Sequence, residues 1–96
     1  MLTNLRDEAK HKPCMVRLPG CDGGKTTVLA HYRLAGYSGM GQKPVDIMGA
    51  WACHNCHDII DGRKKTEHDQ KIIRLAHAEG CLRTAVALAK AEIIKW

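Results

Sequence analysis

The pattern of apolar and polar positions predicts two short strands and a short helix in the first two thirds of the chain. Residues 26–33 are rich in β-forming residues at their start, and residues 45–52 form a second short apolar segment, so we expect a strand in each. The segment 34–45 is rich in glycine and predicts a loop. Residues 53–61 predict a helix that stops at Gly62.

Helical spacing dominates the last third of the chain. Helical spacing is shown by Ile72, Leu75, Ala76 and Glu79, and Leu82, Val86, Ala89 and Ile93 continue this predicted, mostly apolar stripe. Because Gly80 lies between the two halves, we expect either two helices or one long helix bent at Gly80. Residues 1–12 predict a short polar helix or arm that ends at Pro13.

Length and composition indicate one small domain over residues 1–96, with a core at about 14–62 and a helical part at about 66–93. The chain has no Phe, two Trp and two Tyr, so large aromatic anchors are scarce. Small domains often compensate for a limited core with a metal staple.

The formal charge of +5 and the pI of about 9.1 favour a polyanionic partner, and we expect nucleic acid. A basic surface alone is also common in soluble proteins without such a partner. No apolar signal segment follows the start, and no run has transmembrane length. We therefore expect a cytoplasmic protein without a membrane partner.

The cysteines form two local pairs, Cys14 with Cys21 and Cys53 with Cys56, and in the cytoplasm such pairs hold metal more often than they form disulfides. We expect them to bind one structural Zn²⁺. The C-x-x-C spacing is the stronger signal, and a Pro-Gly turn lets the longer upstream loop bring its two thiolates together. Alternatively, these are ordinary buried cysteines. Cys81 lies on an apolar helical face and is expected in the core.

The segment Cys53-His54-Asn55-Cys56-His57 also fits the attachment motif of c-type haem. Haem attachment normally requires export, and it would leave Cys14 and Cys21 unexplained. We therefore expect no haem.

Two histidines and an aspartate are candidates for phosphodiester hydrolysis. His31, near the end of the first predicted strand, suits a general base because the ordinary imidazole pKa lies near neutrality. His57 follows Cys56 in the next helix. Asp61 is four residues further on the same face and could share a catalytic Mg²⁺ or other divalent cation with it. Arg63, Lys64 and Lys65 form either a solvated turn or a patch that binds the nucleic-acid backbone.

The order of cysteine pair, strand, histidine, glycine-rich loop, strand and C-x-x-C-H resembles the HNH (ββα-metal, His-Me finger) nucleases over about residues 14–62. The whole chain further resembles a small family of phage and prophage proteins. The resemblance implies an α+β fold with a small zinc-stapled ββα-metal core and additional C-terminal helices. It implies a metal-dependent endonuclease acting on nucleic acid, with DNA as the expected substrate.

The resemblance also implies residue roles. His31 would activate water, His57 would bind the catalytic metal, and the four paired cysteines would hold zinc. Arg33 and Lys43 would contact phosphate.

Two departures from the HNH pattern matter. Ala30 stands where many members carry a metal-binding Asp before the base, and Asp46 is the nearest match to the central Asn. The alternative function is therefore a non-catalytic zinc module that binds nucleic acid or a partner protein. Simpler roles also remain open for the histidines: His31 as a core or surface residue, His57 as a zinc ligand, and His54 in place of His57.

Overall fold

A computed structural model describes residues 4–33 and 46–93, and in these residues the chain forms a two-stranded sheet with helices. The predicted loop 34–45, with Lys43, lies outside the described residues. The elements are α1 (Leu5–Glu8), β1 (Val28–His31), a 3-10 turn (Asp46–Met48), β2 (Gly49–Ala52), α2 (His54–Ile60) and α3 (Gln70–Lys90). The α+β class is thus confirmed.

The sheet is antiparallel, with Val28 opposite Ala52 and His31 opposite Gly49. Its second strand is buried throughout. At Trp51 the outer edge of β2 is bonded by other parts of the chain: Trp51 O accepts from Met15 N at 2.7 Å, and Trp51 N donates to Thr84 Oγ1 at 2.9 Å. The Thr84 hydroxyl in turn donates to the Gly80 carbonyl at 2.8 Å, which ties α3 to β2.

Helix α2 matches the prediction closely. Cys53 is its N-cap and Asp61 its C-cap, and Gly62 then adopts a positive φ of 80°, which glycine tolerates best. The predicted N-terminal helix is only one turn, capped by the side chain of Asn4.

Helix α3 runs without interruption through Gly80, so the alternative of two helices is wrong and the alternative of one long helix holds. Gly80 is buried, and a Cβ atom at this position would lie 2.9 Å from Val16 Cγ2 and 3.2 Å from Met15 O. The glycine therefore allows the helix to approach the segment after Cys14 closely.

The predicted apolar stripe of α3 is also largely wrong. The buried face instead carries Ile73, His77, Gly80, Thr84, Leu88 and Ala89, and of these only Ala89 belongs to the predicted stripe. The expected core residues Ile72, Leu75, Leu82 and Val86 are 47–68% exposed. Residues that permit close approach or form hydrogen bonds occupy much of the buried face, so hydrophobicity alone does not identify it.

Within residues 4–33 and 46–93, no helix combines the length and the apolar character needed to cross a membrane.

Candidate functional site

Four cysteines meet between the segment before β1 and the start of α2. The Sγ atoms of Cys14, Cys21, Cys53 and Cys56 all lie within 4.8 Å of one another. Cys14 and Cys56 are 3.6 Å apart at Sγ, and Cys21 and Cys53 are 3.9 Å apart. These distances exceed a disulfide bond and approach the roughly 3.8 Å edge of a tetrahedron with metal–sulfur bonds of about 2.3 Å. The cluster could therefore hold a metal ion.

The loop from Cys14 to Cys21 is shaped to present its sulfurs. Arg17 adopts a positive φ of 60° and Gly20 one of 83°, which turns the chain back within seven residues. Backbone amides point at the sulfurs: Leu18 N donates to Cys56 Sγ at 3.3 Å, and Gly23 N donates to Cys21 Sγ at 3.4 Å. Such donors stabilise thiolates, the form that binds metal.

The shifted pKa values of the cysteines also bear on metal binding. Cys14 and Cys56 share a hydrogen bond, which lowers the pKa of Cys14 to about 4 and raises the pKa of Cys56 above its usual range. Burial raises the pKa of Cys21 to about 11. The thiols therefore lose a first proton easily and the later ones with difficulty, unless a bound cation offsets the accumulating negative charge.

Polar contacts fasten the start of α2 to the cysteine loop. Asn55 Nδ2 donates to Pro19 O at 2.8 Å, and His54 N donates to Thr26 Oγ1 at 2.9 Å. Asp22 accepts from the Thr26 hydroxyl and from the amides of the turn that follows it. The orientation of α2, and of the side chains on it, is thus fixed by the cluster and by these contacts.

His31 is held by a carboxylate of the 3-10 turn that precedes β2. Asp46 Oδ1 lies 2.8 Å from His31 Nε2 and 3.2 Å from Arg6 Nε. The hydrogen bond from His31, supported by Arg6, holds the pKa of Asp46 below its usual value. An ionised carboxylate only accepts hydrogen bonds, so Nε2 is the donor to Asp46 and Nδ1 is the nitrogen left to accept a proton.

His31 opens onto a basic cleft of about 460 Å³ between β1, α2 and α3. The cleft therefore brings together four predicted site residues, His31, Arg33, Asp61 and Arg63, with a third arginine, Arg74. Its walls carry His31, Arg33, Ile60, Asp61, Arg63, Arg74 and His77.

His57 lies beside the cleft rather than on its wall. Its Nε2 is 3.2 Å from Oδ2 of Asp61, which does line the cleft. Two ligand atoms at about 2.1 Å from one octahedral ion are about 3 Å apart, so this pair could share a cation. His57 is not part of the cysteine cluster, and the side chain of His54 is exposed.

The basic run 63–65 is divided between two surfaces. Arg63 lies on the His31 cleft. Its Nη1 is 3.7 Å from Asp58 Oδ1, and its Nη2 is 3.7 Å from Asp61 Oδ2. Lys64 and Lys65 line a separate depression of about 220 Å³, and Lys64 Nζ donates to Asn55 Oδ1.

Three residues on or beside this cleft were not predicted as site residues. Arg74 stacks over the ring of Tyr32, with 4.7 Å from Cζ to the ring centroid. His77 is buried, and its Nε2 lies 2.9 Å from Ala30 O. Burial lowers the pKa of His77. The i, i+3 spacing of Arg74 and His77 places both on one helical face, but only the correct phase of α3 would have identified it.

The outcome for Cys81 matches expectation. Cys81 is half-buried against the core, its Sγ lies 3.3 Å from Met48 O, and burial raises its pKa to about 11. His68 is exposed.

The fold and the cysteine cluster define a small α+β domain that could bind a metal ion. The chain belongs to the family described as "Putative nuclease YbcO", which it matches over residues 3–93. It is 42% identical over 96 residues to "Putative nuclease YbcO" of Escherichia coli strain K12, covering 98% of this chain and 99% of that protein. A protein of the same description from Enterobacteria phage 82 matches to the same extent.

A solved structure is also similar. It is described as a "putative bacteriophage protein" from E. coli K-12 MG1655, and it superposes with a TM-score of 0.76 at 37% identity. The match covers 93% of this chain and all of that one. Phage and prophage relatives therefore share both the sequence and the fold.

Proposed function

We propose that the protein is a metal-dependent endonuclease that hydrolyses phosphodiester bonds of nucleic acid, with DNA as the expected substrate. The observation that carries the proposal is that His31 and Asp61 line one cleft together with three arginines. The succession of β1, β2 and α2 supports an HNH-like core, and the names of the relatives support a nuclease.

The cysteine cluster is proposed to hold one structural Zn²⁺. Four sulfur donors that are mostly buried suit a closed tetrahedral zinc site, and no ligand position is then left for substrate. In this role the cluster fixes the start of α2 and thereby positions His57 and Asp61.

His31 is the proposed general base. With Nε2 donating to Asp46, the lone pair on Nδ1 can take a proton from water as that water attacks phosphorus. The carboxylate also stabilises the imidazolium that results, as in other His–carboxylate pairs.

His57 and Asp61 are the proposed holders of a catalytic divalent cation such as Mg²⁺. A nitrogen and an oxygen donor 3.2 Å apart suit this role. When bound, the cation supplies charge stabilisation at the scissile phosphate and the leaving oxygen. Arg33 and Arg63 are proposed to bind phosphate in the cleft, and Lys64 and Lys65 to contact the backbone outside it. Lys43 is proposed to contact phosphate.

Cleavage of supercoiled plasmid with and without added Mg²⁺ or Mn²⁺ tests the proposal. We expect divalent-dependent nicking that falls on the order of a hundredfold in His31→Ala, while the metal content and melting temperature of the protein stay unchanged. His68→Ala is the matched control and should cut like the wild type. Equal cleavage by His31→Ala and His68→Ala would refute the role of His31.

A non-catalytic zinc module that binds nucleic acid is the second candidate, and Ala30 favours it. The side chain of Ala30 is 1% exposed and packs in the core, so position 30 offers no metal ligand. This candidate predicts salt-sensitive binding of nucleic acid without cleavage of single-stranded, double-stranded or branched substrates.

A further inference from the structure

We propose that Arg74 forms the main phosphate-binding subsite of the His31 cleft, and that its ligand is a phosphodiester group of the nucleic-acid backbone. The inference rests on the proposed function in one respect: it takes the cleft as the place where nucleic acid binds.

A column of three side chains, Arg74, Tyr32 and His77, holds Arg74 in position. Its guanidinium lies over Tyr32, the Tyr32 ring lies 5.0 Å from the His77 ring at an interplanar angle of 55°, and His77 is anchored to Ala30 O. The column thus connects an exposed cation to a buried, hydrogen-bonded residue of the core. A guanidinium held in this way loses little conformational entropy when it binds a phosphate.

The base of the column carries little charge of its own. Burial lowers the pKa of His77, so its ring is neutral near pH 7 and does not repel the guanidinium stacked above. The backbone of Tyr32 is also held in place, because its amide donates to Met48 O at 3.0 Å.

Charge distinguishes Arg74 from Arg63 on the same cleft. Arg63 lies 3.7 Å from two carboxylates, Asp58 and Asp61, which offset its charge. Within the described part of the chain, Arg74 has no carboxylate within salt-bridge distance. One of its nitrogens, Nη2, lies 3.5 Å from Arg33 O, and the other donors of the planar fork remain for a bidentate contact with phosphate oxygens.

The position of Arg74 on the cleft also supports the subsite. Arg74 is exposed and lines the same cleft as His31 and Asp61. A phosphate bound to Arg74 therefore lies in the cleft that contains the proposed base, and not in the separate depression beside Lys64.

The test compares Arg74→Gln with Lys90→Gln, which removes one positive charge from the far end of the same helix, about 24 Å away by helical rise. The probe is a fluorescent DNA duplex without added divalent ion, titrated by anisotropy at several salt concentrations. We expect Arg74→Gln to weaken binding roughly tenfold and to reduce the salt slope by about 1, and Lys90→Gln to leave both near wild type.

The stacking is tested separately. Tyr32→Leu removes the ring under the guanidinium and should weaken binding in the same direction as Arg74→Gln, whereas Tyr32→Phe keeps the ring and should bind more tightly than Tyr32→Leu. If Arg74→Gln binds as tightly as Lys90→Gln, the subsite is refuted, even where the wild type cuts DNA. If the wild type cuts no nucleic acid and Arg74→Gln still binds weakly, the subsite stands and the nuclease proposal falls.

Discussion

Oδ1 of Asp46 lies 2.8 Å from Nε2 of His31, so a residue of the turn before β2 orients the last residue of β1. The same oxygen accepts from Arg6, which brings α1 into the arrangement. The pair thus couples three separate segments of the chain at the edge of the proposed active site.

Removing this carboxylate should impair the base without unfolding the protein. We expect Asp46→Ala to slow cleavage at least about tenfold, since one charge-assisted hydrogen bond of about 1.4 kcal/mol or more is lost from the imidazolium. Glu67→Ala removes an exposed carboxylate elsewhere and is the control. Nitrogen NMR of the ring gives a second readout, with the proton on Nε2 in the wild type. A variant that keeps full activity would exclude a role for Asp46.

Metal removal should unfold the domain or loosen it strongly. We expect one zinc per chain by native mass spectrometry of protein purified without a metal-affinity tag. Cys56→Ala should lose the metal and a large part of its thermal stability, because metal binding contributes to folding. Cys81→Ala, outside the cluster, should retain the metal. A folded, reduced wild type with no bound metal would contradict the prediction.

Thr84 offers a test of how α3 is attached to β2. Thr84→Val keeps the shape of the side chain but leaves the buried Trp51 N–H without its acceptor. We expect the free energy of unfolding in urea to fall by about 1–3 kcal/mol. Thr84→Ser keeps the hydroxyl and should lose less. Equal losses in Val and Ser would show that packing of the methyl group, and not the hydrogen bond, matters here.

Acidification should destabilise the protein in part through His77. Burial lowers the pKa of this ring, so below the ordinary value of 6.5 the unfolded chain takes up a proton that the folded chain does not. The free energy of unfolding therefore falls as the pH drops through and below about 6.5. His77→Gln should show a shallower decline between pH 7.5 and 5.5. Identical slopes for the two proteins would contradict the assignment.

Local spacing predicted the features that depend on neighbours in sequence. The C-x-x-C pair and the Pro-Gly loop predicted the cysteines that meet in the cluster, and Gly62 predicted the end of α2. These features need only turn geometry and short-range chemistry, which a single sequence contains.

Contacts between residues that are distant in the sequence leave no comparable local signal. Asp46 and His31 are 15 residues apart in the sequence, and nothing in the spacing indicates their contact. In α3, Gly80 looked like a helix breaker, whereas its lack of a side chain permits close packing against Val16. The resulting error in the phase of α3 concealed Arg74.

The occupied edge of β2 has a consequence for self-association. An exposed strand edge invites another chain to add a strand to the sheet, which is a common route to aggregation. Here the amide and the carbonyl of Trp51 on that edge are already bonded to Thr84 and Met15. The two-stranded sheet is thereby blocked from growing through its most buried strand.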